Sequence, residues 1–240
     1  MIVTEVVPHS LAVADVSPGT GRDWLAEIYA RAPGPYVRLN MVTTLTGSAA
    51  GPDGTSETLT SRVDRAILGV IRRDADVVVV GAQSVRAEGY VVPRAARLAV
   101  VTSTGDITGH RLDVEGDEPG RVLLVCPATR VDEVAERAAS IGARVLGVQG
   151  SGDRIEPAAI LAALAAEGMT RVVCEGGPSL SSQFIAAGVI DEYCVTTAPL
   201  IEPAQAPFVT VDAASRPDTE VAGMLVDEAG FSYLRLRPRA

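Results

Sequence analysis

Val172-Val173-Cys174-Glu175-Gly176-Gly177-Pro178-Ser179-Leu180 carries the change from strand to helix on which the fold turns. Residues 170–174 are mostly apolar and β-branched, the composition of a strand buried on both faces. Two glycines follow, and Pro178 stands where a helix begins, since its missing N–H is not needed there. That helix runs over 178–187, and Gly188 closes it. The free N–H groups and positive dipole end of such a helix start suit a pyrophosphate. Gly176 and Gly177 also let a ligand approach without interference from a Cβ. A tight turn that only needs glycine would use the same residues, and local geometry leaves both readings open. Glu175, at the end of the strand, could orient a substrate amide or relay a proton. A solvated loop acid is its alternative.

Outward from this stretch the chain alternates. Strands are expected at 36–42, 76–81, 97–103, 121–126, 143–148 and 170–174, with helices at 23–31, 61–73, 129–140, from Pro157 to Gly168, and at 178–187. Ser61 is placed to cap its helix, whose Val63, Ile67, Val70 and Ile71 follow helical spacing. Thr129 is placed to cap the next, which Gly142 ends. Past Gly188 the helical signals stop. Residues 191–199, 220–226 and 231–237 read as strands, the last two joined near Glu228-Ala229-Gly230 as a hairpin. The fold class is therefore α/β: a mostly parallel central sheet with helices on both faces and an antiparallel C-terminal hairpin. Residues 1–35 read as an N-terminal extension with a short helix, and 36–240 as a single domain. The tract 104–120, rich in Gly and Asp, reads as a surface excursion.

Composition narrows the function. The 240 residues are 47% hydrophobic and only 4% aromatic, enough for a large core built from aliphatic side chains. A net charge of −9 disfavours binding to nucleic acid. All 21 basic residues are Arg, which removes Schiff-base chemistry and the phosphate-loop lysine. Cys126, Cys174 and Cys194 lie in or beside apolar runs and read as buried reduced thiols. His9 and His110 have no metal-ligand spacing, and no metal site is expected. No apolar run is long enough to span a membrane, and residues 1–17 do not have the pattern of a signal peptide. A cytoplasmic location is the expectation.

In open α/β sheets, ligands bind at the carboxyl ends of the parallel strands. Val80-Gly81-Ala82-Gln83-Ser84-Val85-Arg86-Ala87-Glu88 repeats the pattern of a buried strand running into glycine and a helix start. Gly81, Ser84 and Glu88 could face a dinucleotide, or Ser84 could be an ordinary N-cap. Arg72 and Arg73 end the 61–73 helix, where they could offset its dipole or hold a substrate phosphate. The loop Gly147-Val148-Gln149-Gly150-Ser151-Gly152 is glycine-rich but lacks the dinucleotide-binding spacing.

Four stretches, taken in order, are similar to one family. They are residues 39–47 (Leu-Asn-Met-Val-Thr-Thr-Leu-Thr-Gly), 75–88, 175–180, and 189–193 with Ala198-Pro199-Leu200. Together they resemble the reductase domain of the bacterial riboflavin-biosynthesis deaminase/reductases, a relative of dihydrofolate reductase. The resemblance implies a dihydrofolate-reductase-like fold, NADPH as hydride donor, and 5-amino-6-(5-phosphoribosylamino)uracil or a related pyrimidine as acceptor. It implies that Thr43, Thr58, Ser84, Glu88 and Ser103 line the coenzyme, with Gly177, Pro178, Ser179 and Leu180 against its pyrophosphate and nicotinamide; Gly81 and Gly176, read above from the strand ends, complete the expected coenzyme site. Ser56, Arg72 and Glu175 would face the substrate, with Arg72 on its phosphate; Glu175, the acid that could relay a proton, is the candidate catalytic residue. A homodimer is implied by the same analogy.

The chain departs from the family in two places. Thr46 stands where the family has an acid, and Gly81-Ala82-Gln83-Ser84 replaces G-A-G-T. The zinc-deaminase signatures H-x-E and P-C-x-x-C do not occur. A dihydrofolate or pteridine reductase, or an NADPH-binding protein without catalysis, would share the same pattern.

Overall fold

The computed structural model describes residues 1–17, 19, 21–114, 119–150 and 155–239. Two strands, β1 (Ile2–Val7) and β2 (Val13–Asp15), precede helix α1 (Arg22–Ile28). Next come β3 (Tyr36–Thr44), α2 (Arg62–Arg73), β4 (Val77–Gly81), α3 (Ala82–Ala87), β5 (Tyr90–Val91) and β6 (Arg97–Val101). The chain continues through β7 (Leu112–Asp113), β8 (Val122–Pro127), α4 (Val131–Ala138), β9 (Arg144–Val148), α5 (Pro157–Ala166) and β10 (Arg171–Gly176). It ends with α6 (Pro178–Ala186), β11 (Glu192–Ala198), β12 (Thr219–Asp227) and β13 (Ser232–Pro238).

Among the described residues, eleven strands form one sheet in the order β2-β1-β12-β13-β11-β3-β10-β4-β6-β8-β9. From β11 to β9 every pairing is parallel. The C-terminal hairpin and the N-terminal strands add an antiparallel wing beyond β11. The valine run of β4 shows why the middle is buried on both sides. Val78 and Val80 pack into the core under α1, α2 and α4, with Leu25, Ile67, Ile71 and Val134. Val77 and Val79 pack into the core under α5 and α6, with Ile160, Leu164 and Phe184. All four valines are fully buried, and each such side chain contributes about 1.5 kcal/mol or more.

The expected alternation of strands and helices stands, with three local differences. β1 and β2 were not foreseen, because only Val3 of β1 is buried and the strand is held by its pairing with β12. Thr129 does not cap α4. It lies in a single 3₁₀ turn, Ala128–Arg130, and α4 starts without a side-chain cap. Gly142 does close that region, at φ 63°. Ser84 is not an N-cap either, since α3 already begins at Ala82. Of the two weaker loops, 151–152 and 115–118 lie outside the described residues, and the 104–120 tract holds the short β7.

Candidate active site

Helix α2 builds one wall of the site. Ser61 accepts a hydrogen bond from the Asp64 amide at 3.0 Å and so fixes where the helix starts. Val63, Ala66, Ile67, Val70 and Ile71 then turn to the core. The complementary stripe, Asp64, Arg65, Leu68, Gly69 and Arg72, faces a cleft of about 680 Å³. This is the helical spacing of three and four residues, and the volume is typical of small-molecule sites. Across the cleft stand Asn40, Met41 and Val42 of β3, Gly81 and Ser84 at the β4–α3 junction, and Gly177 through Leu180.

Arg72 and Glu175 meet inside the cleft. Arg72 donates from Nε to Oε1 at 2.7 Å and from Nη2 to Oε2 at 2.6 Å, a bidentate fork. The Tyr90 hydroxyl donates to the same Oε2 at 3.1 Å, and its ring lies 5.8 Å from the Arg72 guanidinium. The Glu175 side chain is only 6% exposed. Burial opposes the charge on Arg72, but Glu175 outweighs it and raises the guanidinium above its usual value. Burial, reinforced by Glu175, pushes the Tyr90 phenol up. Two residues expected to share a substrate thus hold each other. A guanidinium has several N–H donors, so Arg72 retains capacity for a further oxygen.

The glycine pair forms the opposite wall. Gly176 has φ 80°, and a Cβ there would sit 2.6 Å from Ser181 Oγ and 2.7 Å from Met41 Sδ. A Cβ on Gly177 would come within 2.9 Å of Ser84 Oγ. The Gly177 amide donates to that hydroxyl at 2.8 Å, which ties the turn to α3. Pro178 opens α6 with no side-chain cap. The amides of Ser179 and Leu180 therefore remain as the open donors of the first turn. A glycine cradle beside uncapped helix amides fits the pyrophosphate of a nicotinamide dinucleotide.

Asp64 is a second acid in the cleft. It is 8% exposed, and Thr196 of β11 donates its hydroxyl to Oδ1 at 2.6 Å. Burial raises its carboxyl above the ordinary value; the Thr196 hydrogen bond and Arg65 oppose this, and Glu175 adds to it. On the outer rim, Ser56 donates its hydroxyl to Glu88 Oε2 at 2.9 Å.

Most expected site residues converge here. Ser56, Arg72, Gly81, Ser84, Glu88, Glu175, Gly177, Pro178, Ser179 and Leu180 all line the cleft. Gly176 does not line it and packs instead against Met41 and Ser181. Thr43 is buried, with its hydroxyl on the Thr44 carbonyl. Thr58 is exposed and donates to Asp53. Ser103 is exposed just past β6. None of these three lines the cleft. Thr46, which stands in place of an acid, is exposed and binds the backbone of Glu202 and the Thr44 hydroxyl. Tyr90 and Asp64 were missed. The register of α2 contains a signal for Asp64, which lies eight residues before Arg72 on the same stripe. Tyr90 has no signal of that kind.

The parallel sheet with its cleft at the strand ends, acid on one side and helix amides on the other, suits a small substrate beside a dinucleotide, and the relatives of the chain are reductases, which makes it an oxidoreductase. The chain belongs to the RibD C-terminal domain family, whose model matches residues 35–220. It is 31% identical over 186 residues to the 2,5-diamino-6-ribosylamino-4(3H)-pyrimidinone 5′-phosphate reductase of Methanothermobacter thermautotrophicus, covering 70% of this chain and 79% of that one. It spans only about half the length of the RibD proteins it matches. A pyrimidine reductase-like protein from Corynebacterium diphtheriae has the same fold, with TM-score 0.73 at 19% identity over 90% of this chain and 98% of that one. A diaminohydroxyphosphoribosylaminopyrimidine deaminase/5-amino-6-(5-phosphoribosylamino)uracil reductase from Thermotoga maritima gives 0.68 at 19% identity, over 85% of this chain and 57% of that one.

Proposed function

We propose that this chain reduces a phosphoribosylated aminopyrimidine of riboflavin biosynthesis, with NADPH as the hydride donor. The observation that carries the reading is that the Glu175–Arg72–Tyr90 cluster and the open amides of Ser179 and Leu180 share one cleft. When bound, NADPH supplies hydride to C1′ of the open-chain imine form of the ribosylamine. A proton must then reach the imine nitrogen to give the ribitylamine. Glu175 is the group placed to hold or pass that proton, and Arg72 and Tyr90 keep it in position. Arg72 adds a contact to the substrate phosphate with its remaining donors, and Ser56 with Glu88 closes the rim.

The Gly176–Gly177 turn lets the end of β10 pack closely on Met41, Ser181 and Ser84, while α6 presents its amides to the pyrophosphate. Residues 36–240 form the catalytic unit in this reading, with 1–35 as an extension of it. By family resemblance, Thr43, Thr58 and Ser103 would line the coenzyme although they lie off the cleft, and the enzyme is a cytoplasmic homodimer.

Calorimetry with NADPH and NADH tests the coenzyme, and NADPH oxidation with the two riboflavin-route pyrimidines tests the reaction. Binding of NADPH, with turnover of at least one of the pyrimidines and none of dihydrofolate, is the expected result. Folded protein that gives no heat with either coenzyme overturns the assignment.

A further inference from the structure

The connection from β11 to β12, residues 199–218, is long. Among the described residues its regular structure is one 3₁₀ turn, Ala213–Ser215, and one bridge, from Pro207 to Ser48. Loops of this length in compact domains usually serve function. Its first half is fastened to the end of β3. The Leu45 amide donates to the Leu200 carbonyl at 3.0 Å, the Ala49 amide to that of Ala206 at 2.8 Å, and the Phe208 amide to that of Gly47 at 2.9 Å. Ser48 stands at the centre of these contacts and is fully buried. Its hydroxyl donates to the Ala50 carbonyl at 2.7 Å and accepts from the amides of Gln205 at 3.0 Å and Ala206 at 3.3 Å. A hydroxyl has one proton and two lone pairs, so Ser48 spends its whole capacity on joining the two segments.

The joined segments present small apolar side chains to the cleft: Ala49 and Ala50 from one, Ala206 from the other. Ser48 itself does not line it. Four residues beyond Ala206, the Thr210 amide donates to Ser182 Oγ of α6 at 2.8 Å. The connection is thus fastened to β3 at one point and to the helix with the open amides at another. We propose that Ser48 is a positioning residue for hydride transfer, whose hydroxyl holds together the alanine wall against which the nicotinamide ring of the coenzyme lies. With the pyrophosphate at α6 and the acceptor at Arg72 and Glu175, the ring end of the coenzyme falls to the remaining wall. Methyl groups there give a flat ring contact without competing hydrogen bonds. Hydride transfer asks the protein for alignment and exclusion of water, and a wall made of two segments supplies both only while they stay joined. The proposal deepens the coenzyme reading and rests on it.

The test is calorimetric binding to the full chain of NADP⁺ and of adenosine 2′,5′-bisphosphate, which has the nucleotide end but no nicotinamide. Ser48→Ala takes the partner from two amides and a carbonyl. It is expected to weaken NADP⁺ about tenfold and to leave the bisphosphate unchanged. A role confined to stability would lower the urea midpoint and move neither affinity. Ala206→Leu keeps the hydroxyl but pushes a larger side chain into the cleft, and the same pattern is expected. It carries the test alone if the Ser48 variant does not fold. Unchanged NADP⁺ affinity in a folded variant, or an equal loss of both compounds, overturns the proposal. Native protein that binds neither compound overturns the coenzyme reading, and the proposal with it.

Discussion

Glu175 is held from two sides, by the fork of Arg72 and by the Tyr90 hydroxyl. A neutral amide at this position keeps the shape and one arm of the Arg72 fork but can no longer carry a proton. Glu175→Gln is expected to lower kcat about a hundredfold, with the NADP⁺ dissociation constant unchanged. Steady-state kinetics and calorimetry on one preparation read both quantities, and undiminished kcat would remove Glu175 from the proton path. At this scale the sequence showed Arg72 and Glu175 as separate points of interest, each marked by its place at the end of an element. It did not show that they bind each other, because the contact spans over a hundred residues and depends on how α2 lies across β10. Tyr90 was hidden for the same reason.

Helix α2 was the most legible element. Its apolar residues follow helical spacing, and the Ser61 side chain meets the Asp64 amide as the pattern of capping residues predicts. Ser61 also shares a hydrogen bond with the Tyr233 hydroxyl at 2.9 Å, which ties the helix start to β13. Ser61→Ala is expected to cost about 1 kcal/mol for the cap alone, read as a lower urea midpoint. Because the cap fixes the start of α2, which carries Arg72 into the cleft, the variant should also weaken binding of the pyrimidine more than that of the coenzyme. α4 was less legible. Thr129 has the right residue type for a cap, but the chain makes a 3₁₀ turn first, and no local signal separates that turn from a helix start. The three thiols are free and buried, as the apolar runs around them predict. Burial pushes Cys174 and Cys194 each up to about 12.

Across the whole molecule, the end of the sheet opposite the cleft is pinned by one buried charge. Glu192 is fully buried, accepting from Arg38 Nε at 2.7 Å and Arg235 Nη2 at 2.9 Å. Arg38 also donates to the Tyr29 carbonyl and Arg235 to that of Ile28, so β3, β11, β13 and the end of α1 share one network. Burial alone would raise the Glu192 carboxyl, but Arg38 and Arg235 outweigh it and hold it below its ordinary 4.5. A folded-state value below the unfolded one gives stability that is fully present above about pH 4.5 and is lost as pH falls through the folded value. Asp76, held low by Arg171 and two amides, contributes in the same direction. The urea midpoint is therefore expected to be level near neutrality and to fall on the acid side. Glu192→Gln leaves two buried arginines short of their counter-charge. It should cost about 3 kcal/mol at pH 7 and flatten the acid limb. A variant as stable as the native chain would show that the network contributes nothing net.

The parallel core of the sheet was legible at this scale because buried strands need unbroken apolar runs. The antiparallel wing at the N-terminus was not, because β1 is held by backbone pairing to a strand at the far end of the chain.

The place of β3 in the sheet has a consequence for biosynthesis. Its two neighbours are β10 and β11, both made well over a hundred residues later. A growing chain therefore exposes the Tyr36–Thr44 segment, with both backbone edges bare, for most of its synthesis. Long-range parallel pairing of this kind is slow and leaves a nascent chain open to wrong partners. A ribosome stalled before β11 would carry a polypeptide with α2 and β4 already made but with no Thr196 to meet Asp64. Acquisition of the ligand pocket is thus among the last events of folding, and occupancy by a small molecule would report that the nascent protein had finished.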